Sequence, residues 1–99
     1  MIENLKGKTA VITGASKGIG EAIAQYFARG GANVVINSRK QEDLDVVAQT
    51  IKDFGGNVLA IAGNVSIPED AQDLINDTIQ AFGGIDILVN NAVANPYYG

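Results

Sequence analysis

Four short apolar runs, at residues 9–13, 33–37, 58–62 and 86–90, punctuate the chain. They are rich in β-branched residues and do not alternate polar with apolar positions. That pattern predicts strands buried on both faces, as in a parallel sheet. Between the runs, apolar residues recur at three- and four-residue steps. One stripe holds Ile19, Ala22, Ile23, Tyr26 and Phe27, and a second holds Leu44, Val47, Ala48 and Ile51. A third holds Ala71, Leu74, Ile75, Thr78, Ile79 and Phe82. Each stripe predicts a helix with one buried face. A glycine pair follows each helical stretch: Gly30-Gly31, Gly55-Gly56 and Gly83-Gly84, the usual signal of a helix end. Ser66 with Glu69 forms an S-x-x-E capping box, with Pro68 in the first turn, and Ser38 with Gln41 is a candidate for a second.

The resulting order, β-α-β-α-β-α-β, predicts one α/β domain over residues 1–99: a doubly wound parallel sheet with helices on both faces. Right-handed crossovers place the first two helices on the same face. If the third crossover returns past the first strand, the order is 3-2-1-4. A ligand then sits at the carboxyl ends of strands 1 and 4, where the winding reverses.

The turn leaving the first strand supports that placement. Thr13-Gly14-Ala15-Ser16-Lys17-Gly18-Ile19-Gly20 opens the first helix and contains G-x-x-x-G-x-G. Gly14 suits a tight exit from the strand, Gly18 a close approach of backbone to a pyrophosphate, and Gly20 a close approach of helix to sheet. The helix start adds unpaired N–H groups and a partial positive charge, and Ser16 adds a hydroxyl donor. A nucleoside triphosphate P-loop is excluded, because no G-x-x-x-x-G-K-[ST] occurs.

Composition narrows the field by subtraction. The 99 residues carry a net charge of −4 with seven basic residues, which argues against a nucleic-acid or anionic-membrane surface. There is no cysteine for disulfides or thiolate metal sites, and no histidine. The start, Met1-Ile2-Glu3-Asn4, does not read as a secretory signal, and no apolar run approaches the roughly 20 residues of a membrane span. The expectation is a cytoplasmic protein.

Three motifs together resemble the short-chain dehydrogenases/reductases. T-G-x-x-x-G-I-G at residues 13–20 is similar to their cofactor motif. Asn64-Val65 is similar to their D-V pair after strand 3, and Asn90-Asn91-Ala92 to the start of their N-N-A-G after strand 4. The resemblance covers the whole chain, which corresponds to less than half of a typical member. It implies a Rossmann-like fold stopping after the fourth strand and a nicotinamide dinucleotide cofactor. Gly14, Ser16, Lys17, Gly18, Ile19 and Gly20 are then expected to line its phosphates. Asn64 and Val65 would meet the adenine, Asn90 and Asn91 would tie the central sheet and bond the ribose, and Asn91 and Ala92 count among the cofactor contacts. Two departures stand out: Asn64 replaces Asp, an acceptor without charge, and Val93 replaces the motif glycine.

NADP(H) is expected over NAD(H). An NAD-selective fold usually ends strand 2 with an acid that bonds the ribose 2′-hydroxyl. Here Asn37-Ser38-Arg39-Lys40 follows, with no acid until Glu42. Arg39 can fork onto a 2′-phosphate, Ser38 can donate to it, and Lys17 adds charge from the turn. In the resembled family such basic residues go with NADP.

The same family transfers hydride between nicotinamide and a carbonyl or alcohol, using Ser, Tyr and a Lys four residues after the Tyr. No Y-x-x-x-K occurs: Tyr26 is followed by Gly30, and Tyr97 and Tyr98 lie beyond the last lysine, Lys52. No catalytic residue is therefore assigned, and the chain alone is expected to be inactive. Two other readings stay open: a non-catalytic dinucleotide-binding module and an assembly fragment. Ile87, Leu88 and Val89 would form an open apolar edge, from which homo-oligomerisation or marginal stability is expected.

Overall fold

The computed structural model describes residues 4–91. The elements run β1 (Thr9–Thr13), α1 (Gly18–Arg29), β2 (Asn33–Ser38), α2 (Gln41–Asp53), β3 (Asn57–Ala62), α3 (Pro68–Phe82) and β4 (Ile87–Asn90). All strand pairs are parallel, and the order is β3-β2-β1-β4. Ile12 lies beside Ile36 on one side and Val89 on the other. The expected doubly wound sheet, its strand order and its reversal between β1 and β4 are all present.

Alternate residues of the inner strands feed two cores. Ala10, Ile12, Val34 and Ile36 meet Ala24 and Ala28 of α1 and Leu44, Val47, Ala48 and Ile51 of α2. Val11 and Val35 face the other way, onto Leu74 of α3. The first two helices thus share a face, as right-handed crossovers require. The expectation of burial on both faces holds for β1 and for the four central residues of β2. It does not hold for β3 and β4, whose residues are only partly buried or exposed, because these strands lie at the sheet edges. Of the expected open run in β4, Ile87 and Val89 pack onto the α1–α2 side, and Leu88 is left 60% exposed.

The helix ends and stripes need three corrections. Gly31, Gly55 and Gly83 do take positive φ at the helix ends. In α1, however, the buried positions are Gly20, Ala24 and Ala28, with Ile23 and Phe27 beside them, while Ile19 is 72% and Tyr26 44% exposed. Small residues thus line the fully buried face of α1, and of the expected stripe Ile19 and Tyr26 are turned outward. Neither capping box forms. The N-caps of α2 and α3 are Lys40 and Ile67, without side-chain cap bonds. Ser66 instead donates its hydroxyl to Asn64 Oδ1 (2.6 Å), and Ser38 Oγ is buried with no hydrogen-bond partner.

Candidate functional site

The carboxyl ends of β1, β2 and β3 and the strand end of β4 meet around the glycine-rich turn. Gly14 and Gly18 have φ of 63° and 61°, a left-handed conformation that L side chains rarely adopt. A Cβ on Gly18 would meet nothing within 4 Å, so the turn presents bare backbone to open space. Gly20 is the reverse case. A Cβ there would overlap the Gly14 carbonyl oxygen and come within 2.7 Å of Asn91 Nδ2. Its function is thus close contact between helix and turn, more than between helix and sheet.

The start of α1 is open. No side chain caps it, and its ladder begins with the Glu21 N–H bonded to the Lys17 carbonyl at 3.4 Å. The N–H groups of Gly18, Ile19 and Gly20 precede that bond and are available to an anion. Lys17, the N-cap residue, lines a shallow groove of about 290 Å³ with Ser16, Glu21, Asp43, Val46 and Val47. Its charge therefore shares that groove with two carboxylates.

The asparagines after β4 fold back onto the turn. Thr13 Oγ1 donates to Asn90 Oδ1 (3.1 Å), and Asn91 Nδ2 donates to the Gly14 carbonyl (3.1 Å). Both tie β4 to the end of β1. Ala92 and Val93, the rest of that motif, lie outside the described residues, as do Tyr97 and Tyr98.

At the end of β2, Arg39 is exposed and Ser38 carries its unpartnered hydroxyl. At the end of β3, Asn64 is bound up in its own loop. Its Oδ1 accepts from both the Ser66 N–H (3.0 Å) and the Ser66 hydroxyl, and its N–H donates to Asp70 Oδ2 (2.9 Å). The oxygen expected to accept from adenine is therefore already engaged. Val65 packs against the Val11, Val35 and Leu74 cluster on the α3 side.

Sequence reasoning passed over two residues, Asp86 at the amino ends of the strands, away from the turn, and Asn37 at their carboxyl ends. Asp86 accepts the Thr9 N–H at 2.9 Å and holds the start of β1 to the approach of β4. Asn37, 2% exposed, donates Nδ2 to the carbonyl of Ile61 (3.0 Å). Its one sequence signal is an amide ending an otherwise apolar run.

The family model for short chain dehydrogenases matches residues 8–97. The chain belongs to the short chain dehydrogenase family. Among curated relatives, it is 45% identical over 91 residues to 11-beta-hydroxysteroid dehydrogenase-like 2 of Arabidopsis thaliana, covering 91% of this chain and 30% of that protein. It is 42% identical over 95 residues to Dehydrogenase/reductase SDR family member 4 of Rattus norvegicus, covering 96% and 34%. Among solved structures, L-sorbose reductase from Gluconobacter frateurii, complexed with NADPH and L-sorbose, matches with a TM-score of 0.89 and 44% identity, over 95% of this chain and 36% of that one. The chain thus spans about a third of the length of these relatives. As a short chain dehydrogenase it carries the dinucleotide-binding portion of an oxidoreductase fold. Among the described residues, no group of three acidic, histidine or cysteine side chains could hold a metal, and no helix is long and apolar enough to cross a membrane.

Proposed function

We propose that this short chain dehydrogenase region binds NADP(H) and serves hydride transfer between nicotinamide and a carbonyl or alcohol substrate. The observation that carries the coenzyme choice is the end of β2. Ser38 holds an unspent hydroxyl, Arg39 is exposed beside it, and no acid intervenes before Glu42. A 2′-phosphate would draw a forked bond from exposed Arg39 and, once the buried Ser38 hydroxyl turns outward, a donor from Ser38, whereas an acid there would repel it. The residues fit the rest of the coenzyme as well. Gly18 leaves room for a pyrophosphate, the N–H groups of Gly18, Ile19 and Gly20 would donate to it, and Ser16 would add a hydroxyl donor. Because Lys17 shares its groove with Glu21 and Asp43, Arg39 is assigned the larger part of the 2′-phosphate contact. Val65 would meet the base through its backbone beside Asn64, and Asn91 and Ala92 the ribose.

When bound, the nicotinamide ring supplies or accepts the hydride. The chain's own residues hold and orient the coenzyme. A Tyr-Lys pair spaced for proton transfer is absent from the 99 residues, so these residues alone are expected to turn nothing over.

Titration of NADPH and NADH, followed by nicotinamide fluorescence, tests the proposal. NADPH is expected to bind more tightly, and tighter NADH binding overturns the coenzyme assignment. NADPH oxidation across a panel of carbonyl compounds is expected to stay at background. Self-association is part of the same proposal, motivated by exposed Leu88 on edge strand β4. Light scattering that shows a heat-stable monomer contradicts it.

A further inference from the structure

Asn37 links the two halves of the site in a way that neither the motifs nor the family match describe. Its backbone carbonyl accepts the Ala15 N–H at 3.0 Å, so the glycine-rich turn hangs from it. Its side chain reaches sideways to the next strand, donating Nδ2 to the carbonyl of Ile61 at 3.0 Å, with the carbonyl of Gly63 at 3.4 Å. Ile61 is its partner in register, whereas Gly63 lies past the last residue of β3. One further bond, from the Gly63 N–H to the Ser38 carbonyl (2.9 Å), completes the seam. Asn37 is 2% exposed and sits between Ile36 and Ser38, where a valine or isoleucine would continue the strand. An apolar side chain there would fill the space but leave the end of β3 without its lateral donor.

We propose that Asn37 is a positioning residue that sets the separation between the turn carrying the coenzyme's phosphates and the Asn64–Val65 segment beneath its base. This rests on the reading above that the pyrophosphate lies on the turn and the base at Asn64–Val65. A ligand spanning two subsites gains from both only when their spacing matches its own length. Asn37 therefore contributes to the affinity of the whole dinucleotide, and little to that of a ligand held by the turn alone.

The test compares NADPH with inorganic pyrophosphate on the wild-type chain and on Asn37→Ala and Asn37→Asp. NADPH is expected to weaken by about tenfold or more in both variants, while pyrophosphate stays within about threefold, because a misplaced subsite penalises only the ligand that needs it. Equal weakening of both ligands, or unchanged NADPH affinity, overturns the proposal. Wild-type protein that binds pyrophosphate but not NADPH, or neither, overturns the underlying coenzyme reading with it. A second measurement needs no variant. Adenosine, which has no phosphate, is titrated while amide resonances are followed by NMR. Val65, the Asn37 side-chain amide and the Ala15 N–H are expected to shift together. Movement at Val65 with Ala15 and Asn37 still overturns the proposal.

Discussion

The segment from β1 to α2 and the segment from β3 to β4 are built to different standards. In the first, all five residues of β1 and the four central residues of β2 are buried, and α2 buries Leu44, Val47, Ala48 and Ile51. In the second, β3 and β4 hold no fully buried residue, and α3 buries only Leu74 and Thr78. The site divides the same way. The proposed phosphate contacts, from Gly14 to Gly20 and at Ser38 and Arg39, stand on the tightly packed segment. The proposed base and ribose contacts, Asn64, Val65 and Asn91, stand on the looser one. On the proposed reading the phosphate groups would be met by the tightly packed segment, and the base and ribose by elements that depend on cross-links such as Asn37 to Ile61 and Asn91 to Gly14.

Five substitutions break or sharpen that contrast. The largest effect is expected from Ile36→Ala, at a fully buried position under α1 and α2. It should cost about 3 kcal/mol in urea unfolding, whereas Leu74→Ala under α3 should cost about 2 kcal/mol, because its thinner surroundings relax around the cavity. Equal losses would erase the distinction between the segments. Gly20→Ala comes next. Its Cβ would meet the Gly14 carbonyl oxygen and Asn91 Nδ2, so stability should fall by about 2 kcal/mol through overpacking, with dinucleotide affinity falling alongside. Full retention of both would show that the helix can move off the turn at no cost.

Arg39→Ala should weaken NADPH by about tenfold, the loss of one exposed charge-assisted contact, and leave NADH unchanged. A parallel loss for both coenzymes would remove Arg39 from the 2′-phosphate. The smallest change expected is a gain. Asn64→Asp can keep the Ser66 bonds through one oxygen and turn the other toward the base, tightening NADPH by about threefold. Unchanged affinity in the same titration would mean the base is not read at that side chain.

Much of the fold was legible because it rests on local signals. The β-branched runs marked the four strands to within a residue, and Gly31, Gly55 and Gly83 marked the helix ends. The α1 stripe misled because its sheet-facing residues are Gly20, Ala24 and Ala28, whose small side chains count little in a hydrophobic pattern, while Ile19 and Tyr26 count heavily and face outward. The capping boxes failed for a different reason. Ser66 has a nearer acceptor in Asn64, and Ser38 is drawn into the sheet. Partial exposure of β3 was not legible, since it depends on strand order and not on composition, whereas the expected order did flag β4 as an open edge, of which Leu88 is the exposed apolar residue. Within the site, the glycine-rich turn could be read from spacing alone. The engagement of Asn64 by Ser66 and the reach of Asn37 across to Ile61 could not, because each depends on which atoms the fold brings within 3 Å or so of one another.

On the proposed reading, the start of α1 receives the coenzyme's phosphates on the backbone N–H groups of Gly18, Ile19 and Gly20, which precede the helix's first bond. Amide NMR during NADPH titration tests it most directly. The account predicts that the N–H resonances of Gly18, Ile19 and Gly20 shift, saturating with the same dissociation constant that nicotinamide fluorescence reports. NADPH binding that leaves those three resonances in place would contradict it.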